Sequence, residues 1–115
     1  VEHWDNAIRQ ARYAARRLLL GAQRPEAPYA PLPWFWSDQY DRKLQLYGSA
    51  LAHDECRVVE GSAAQGQLIA LYRRGDALGA VLCINKARSL PRYRALLERG
   101  APFEEALAAS APVAP

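Results

Sequence analysis

Prolines at positions 25, 28, 31 and 33 constrain this chain more than any other feature. Each proline lacks a backbone N–H and fixes φ, so the spacing excludes both a helix interior and a central strand. Residues 22 to 33 are therefore expected to form an extended linker laid over a surface. That leaves one unit before the linker and another after it.

The first unit, residues 1 to 21, has a helical pattern. Trp4, Ile8, Ala11, Ala15, Leu18 and Leu19 recur at three- and four-residue steps, which places them on one face of an α-helix. Alanine, leucine and arginine dominate the stretch, and all three favour helix. Glu2 and Asp5 suit the positive end of the helix dipole, and Arg16 and Arg17 suit the negative end. Gly21 follows the last leucine as a terminating residue.

Beyond the linker the period changes to two. Trp34 to Tyr40 opens the new unit, and Leu44 and Leu46 alternate with polar neighbours up to Gly48. Further strands are expected at Arg57–Glu60, Gln67–Arg73 and Leu78–Ile84. The last is the most apolar run, and so the expected central strand. Short turns such as Arg74-Gly75-Asp76 make the strands antiparallel. After Asn85 the helical pattern returns, with Pro91 in a first turn and Tyr93, Leu96 and Leu97 as the apolar stripe; Pro102 opens a last helix through Leu107. The fold class is α+β: an N-terminal helix, a proline-rich linker, then a C-terminal unit over residues 34–108 made of an antiparallel β-sheet of four to five strands and two short C-terminal helices. Residues 109–115 have little to bury and are expected to fray.

With 115 residues, half of them hydrophobic and 23% charged, the chain suits a single globular domain. The net charge of +3 is too small to select a partner class by itself. Cys56 and Cys83 are far apart, form no CxxC pair and lie in strand-like stretches, so both are expected to be small buried side chains, as in a reducing cytoplasm. No apolar run has the length of a membrane span. The chain contains no methionine and enters a helical pattern at once, so it is expected to be a piece of a longer polypeptide.

Glycine-rich nucleotide loops, the GxSxG elbow and the HExxH metal motif are all absent, and no catalytic or metal-ligating set is expected. His53 sits in a polar turn beside Asp54 and Glu55, where a solvated histidine is the plain reading. Arg88, Arg92 and Arg94 read as ordinary surface charges. Two stretches stand out: the opening Val1-Glu2-His3-Trp4-Asp5-Asn6-Ala7, and Pro33-Trp34-Phe35-Trp36-Ser37-Asp38-Gln39-Tyr40. By itself the second is an aromatic knot pinning the linker to the sheet.

Glu-His-Trp-x-Asn-Ala at a helix start, a proline linker, then Pro-Trp-Phe-Trp-Ser-Asp-Gln-Tyr-Asp and Leu-Gln-x-x-Gly together resemble the oxygenase-coupled ferredoxin reductases. They are more distantly similar to the apoptosis-inducing factor flavoproteins. The resemblance covers roughly residues 1 to 100, and it implies a glutathione-reductase-like protein that moves a hydride from NAD(P)H to FAD and then single electrons to a [2Fe–2S] ferredoxin. This chain would hold the last FAD-domain helix (1–21) and the C-terminal domain, and would not be active alone. His3, Trp4 and Trp36 would border the flavin. Trp4 would act mainly through its backbone N–H, and His3 belongs to the residue type that changes charge near neutral pH. Trp34 and Phe35 would pack inward. Arg9, Arg12 and Arg16 lie on one stripe of the helix about 100° from its apolar face. By the resemblance the position of Arg12 belongs to a docking surface for an acidic ferredoxin, and Arg9 and Arg16 are expected to join it as neighbours on the same stripe.

A rival reading is a free-standing interaction module in which aromatics and arginines bind a peptide or single-stranded nucleic acid, or a dimerisation domain. Against nucleic acid, the aromatics concentrate in one segment and do not alternate with basic residues along the strands. Neither a nucleic-acid nor a membrane partner is expected.

Overall fold

A computed structural model describes residues 3–21 and 27–110. Expectations for Glu2, for Pro25 and its neighbours, and for the tail beyond Ser110 lie outside the described residues.

Helix α1 spans Trp4–Leu20. His3 precedes it with extended backbone, and its carbonyl accepts the Ala7 N–H at 3.0 Å. Gly21 ends it at φ 67°, donating its N–H to the Arg17 carbonyl at 3.1 Å. Such a left-handed φ favours glycine, as the sequence predicts. None of the residues of α1 is buried, and Leu18 and Leu19 are 84% and 86% exposed. The amphipathic pattern therefore forms a helix, but beyond Trp4 and the half-buried Ile8 its apolar side is exposed at Ala11, Ala15, Leu18 and Leu19.

The proline segment fastens to another side of α1. The Tyr13 hydroxyl donates to the Ala27 carbonyl at 2.7 Å, and the Tyr29 hydroxyl to the Asn6 side-chain oxygen at 2.7 Å. The Arg9 guanidinium reaches the Leu32 carbonyl at 3.4 Å.

Five strands follow: β1 (Trp34–Gln39), β2 (Arg42–Gly48), β3 (Glu55–Ser62), β4 (Gln67–Arg74) and β5 (Ala77–Ile84). They form one antiparallel sheet in the order β1-β2-β5-β4-β3, with β5 central as its apolar sequence predicts. Helices α2 (Leu90–Glu98) and α3 (Phe103–Ala109) cover one face. There Tyr47, Ile69, Leu71, Val81 and Cys83 pack against Leu90, Tyr93, Leu96, Leu97, Phe103 and Ala106. Full burial of each large apolar side chain contributes about 1.5–3 kcal/mol, so this face is the main source of cohesion. The start of α3 is tied to the sheet, the Phe103 N–H donating to the Asp76 carbonyl at 2.8 Å.

A β-bulge between Val58 and Glu60 sets which way β3 points its side chains. Val58 pairs with Ala70 and Glu60 with Ile69, so the two take opposite faces. Glu60 turns towards α2, where it accepts hydrogen bonds from the Tyr93 hydroxyl, from Ser89 at 3.0 Å and from Arg92 at 2.6 Å. Burial pushes its carboxyl up, but the hydrogen bonds from Tyr93, Arg92 and Ser89 outweigh that and hold it below the usual range. Burial, then Glu60, pushes the Tyr93 phenol up.

Asn85, at a left-handed φ of 51°, joins three turns. Its carboxamide donates to the carbonyls of Asp41 (3.0 Å) and Gly66 (3.1 Å) and accepts the Lys43 N–H at 2.8 Å.

Three expectations need correction. Cys83 is buried, but Cys56 is exposed: it lies on edge strand β3, on the same side as Val58, away from the helices. Phe35 does not pack inward. Strand alternation sends Trp34 and Trp36 to the helix-covered face and Phe35 to the other, where it is 42% exposed. Arg92 and Arg94 are more than surface charges: Arg92 pairs with Glu60, and Arg94 pairs with Glu98 at 2.9 Å and lies over the Tyr47 ring.

Candidate functional site at the tip of the first helix

Strand β1 presents its aromatics to the start of α1. Period-two alternation puts Trp34 and Trp36 on one side of the strand, with ring centroids 4.8 Å apart. Trp4, in the first turn of α1, meets Trp36 edge-on at 5.7 Å, and His3 lies against Phe35 at 5.0 Å. Trp34 continues inward and stacks on Tyr47 at 5.7 Å. Residues separated by some thirty positions thus converge on a cleft of about 140 Å³ lined by His3, Trp4, Trp34, Phe35 and Trp36.

Three features make this cleft chemically distinctive. The helix start has no side-chain cap, so the first-turn N–H groups of Trp4 and Asp5 have no intrahelical acceptor and carry the positive end of the dipole. His3 Nδ1 and Trp34 Nε1 are shielded from solvent and have no hydrogen-bond partner among the described residues. Trp4 is 67% exposed, so the cleft has an open rim. Its volume is far below the roughly 300–1,000 Å³ of pockets that enclose a ligand. The residues therefore fit one edge of a planar aromatic group such as a flavin, held against indole and helix tip, and not the whole of it.

The sequence-predicted residues fall into two groups. His3, Trp4 and Trp36 come together at this cleft. Arg9, Arg12 and Arg16 line a separate groove of about 510 Å³ along α1, closed on its far side by Pro28, Tyr29 and Pro31. Within it Arg9 is committed to Asp5 at 2.9 Å and to the Leu32 carbonyl. Arg12 is exposed and forms no ion pair among the described residues. Trp34 and Tyr47 were not singled out for the site by sequence. The i, i+2 spacing of Trp34 and Trp36 signals their shared face, but the cross-strand partner Tyr47 emerges only from the register of β1 and β2.

Among the described residues no group of three His, Cys, Asp or Glu side chains is placed to hold a metal ion. No helix there is long and apolar enough to cross a membrane.

Comparison with known proteins gives the family and the fold. The family model described as reductase C-terminal matches residues 34–114. The chain is 41% identical over 100 residues to the ferredoxin reductase subunit of 5,5'-dehydrodivanillate O-demethylase from Sphingobium sp., covering 87% of this chain and 23% of that protein. It is 34% identical to putidaredoxin reductase from Pseudomonas putida, covering 90% of this chain and 24% of that one. The fold matches the covalent putidaredoxin reductase–putidaredoxin complex with a TM-score of 0.73 at 33% identity, over 89% of this chain and 23% of the other. It matches the ferredoxin reductase for the CYP199A2 system from Rhodopseudomonas palustris with a TM-score of 0.74 at 34% identity, over 93% and 26%. The chain spans about a quarter of the length of these relatives. On the match of its sheet and C-terminal helices, the chain belongs to the reductase C-terminal family.

Proposed function

We propose that this chain forms part of a flavoprotein that passes electrons from NAD(P)H through FAD to a [2Fe–2S] ferredoxin, and that it is not active alone. It contributes one wall of the flavin pocket, with His3, Trp4 and Trp36, and part of the ferredoxin-docking surface, with Arg12 foremost and Arg9 and Arg16 beside it. The observation that carries the reading is the meeting of the uncapped tip of α1 with Trp36 in one cleft, Trp4 and Trp36 touching at 5.7 Å.

Bound FAD would supply hydride acceptance and the release of single electrons. The chain's own residues supply its surroundings. Amide groups at the tip stabilise negative charge on the ring edge facing them. Trp36 covers that edge, excludes water and stands between it and the protein surface. The guanidinium of Arg12, lacking a carboxylate partner among the described residues, is available to an acidic protein approaching along α1. Similarity to proteins named as ferredoxin reductases supports the partner class.

The test is Trp36→Ala in the flavin-bearing reductase containing this chain. The expected outcome is a shifted flavin absorbance spectrum with slower ferredoxin reduction. An unchanged spectrum together with an unchanged rate overturns the placement of the flavin.

A further inference from the structure

The aromatic residues do not stop at the cleft. From Trp4, 67% exposed, ring contacts run to Trp36 at 5.7 Å, to Trp34 at 4.8 Å and to Tyr47 at 5.7 Å. Tyr47 is 7% exposed, and the Arg94 guanidinium lies 5.1 Å from the centre of its ring. Indole and phenol are the side chains most readily oxidised by one electron, and rings in contact exchange electrons quickly. A file of three such rings leading inward from a proposed redox cofactor is more than the cofactor's wall requires.

We propose that Trp36 and Trp34 form a reversible electron-donating relay that quenches the light-excited flavin of the site described above, with Trp34 as its terminus. This rests on the flavin reading. Trp36 gives one electron to the excited oxidised ring and becomes a radical cation; Trp34 gives one electron to Trp36 and takes over the positive charge. The charge does not continue to Tyr47, because a phenol is readily oxidised only as it gives up its proton, and the Arg94 guanidinium over that ring, which also holds Glu98 at 2.9 Å, is no acceptor for it. Nor is it lost as a proton, because Trp34 Nε1 is shielded from solvent and has no acceptor among the described residues. The electron then returns from the flavin to Trp34, no bond is broken, and the photon's energy leaves as heat. Separation by two rings in place of one slows the return.

Transient absorption after a flash on the flavin-bearing reductase tests the relay. The wild type is expected to show a long-lived protonated tryptophan radical. Trp34→Phe should lose that long-lived phase while keeping fast flavin quenching by Trp36, and Arg94→Ala should add a tyrosyl signal that Tyr47→Phe removes. A long-lived phase unchanged in Trp34→Phe, or no tyrosyl signal in Arg94→Ala, overturns the relay; the Arg94 arm stands even where Trp34→Phe fails to fold. If Trp36→Phe leaves flavin fluorescence as strongly quenched as in the wild type, the flavin reading itself falls. A flavin-free arm separates the two failures. In the same reductase stripped of its FAD, flash-quench oxidation by a ruthenium polypyridyl complex with a cobalt(III) ammine as sacrificial acceptor should give the same protonated radical, lost in Trp34→Phe.

Discussion

The Tyr93 hydroxyl donates a hydrogen bond to the Glu60 carboxylate, joining the first turns of α2 to an edge strand of the sheet. Tyr93 is fully buried, and the Glu60 side chain is 15% exposed and also held by Arg92 and Ser89. Removing the carboxylate leaves the phenol without a partner in a dry site. Glu60→Ala is therefore expected to destabilise the fold by about 2–3 kcal/mol, measured by urea unfolding.

The same carboxylate predicts a pH dependence. Its hydrogen bonds hold its folded pKa below the usual glutamate value of about 4.3. A depressed carboxylate contributes stability that is fully present above the unfolded value and is lost as pH falls through the folded one. The acid limb of the stability profile should thus be shallower in Glu60→Gln than in the wild type. Identical limbs would show that Glu60 carries no such linkage.

Asn85 combines a left-handed backbone with three side-chain hydrogen bonds. Glycine tolerates the backbone but makes none of these bonds, whereas alanine fails on both counts. Asn85→Ala should cost about 1 kcal/mol more than Asn85→Gly in thermal or chemical unfolding. Equal losses would place the whole effect in the carboxamide.

Phe103 and Phe35 provide a paired comparison. Phe103 is 1% exposed in the core, and Phe35 is 42% exposed on the opposite face of the sheet. Phe103→Ala should cost about 3–5 kcal/mol in denaturant unfolding, and Phe35→Ala far less. In the same way a thiol reagent should modify Cys56 in the native chain and reach Cys83 only on unfolding.

Arg12 tests the docking surface. In the flavin-bearing reductase, Arg12→Glu should lower the second-order rate of ferredoxin reduction about tenfold at low salt and leave reduction of a small artificial acceptor unchanged. Equal losses with both acceptors would remove Arg12 from the docking surface.

Much of this architecture was legible in the sequence because its signals are local. The 3.6-residue period of α1, Gly21 at its end, the glycine turn before β5 and the apolar run of β5 itself each act over a few residues. What escaped depends on register and layering. Whether Cys56 and Phe35 face the core follows from which side of the sheet the helices cover, and no strand carries that information alone. Arg92 looked like a solvated charge because its partner Glu60 is brought round by a bulge thirty-odd positions earlier in the chain. At the site, the motif residues His3, Trp4 and Trp36 were visible as a resemblance. The inward continuation through Trp34 to Tyr47 needed the pairing of β1 with β2.

The bulge in β3 also bears on how this segment tolerates changes in length. Val58 and Glu60 sit opposite consecutive residues of β4, so Val59 is a supernumerary position in the ladder. Excising it would restore ordinary alternation and keep Glu60 aimed at α2. Excising Val58 yields the same sequence and the same result, whereas excising Glu60 would also regularise the ladder but remove the carboxylate that α2 binds. Among the positions of this edge strand, natural shortening by one residue is therefore expected at the Val58–Val59 pair.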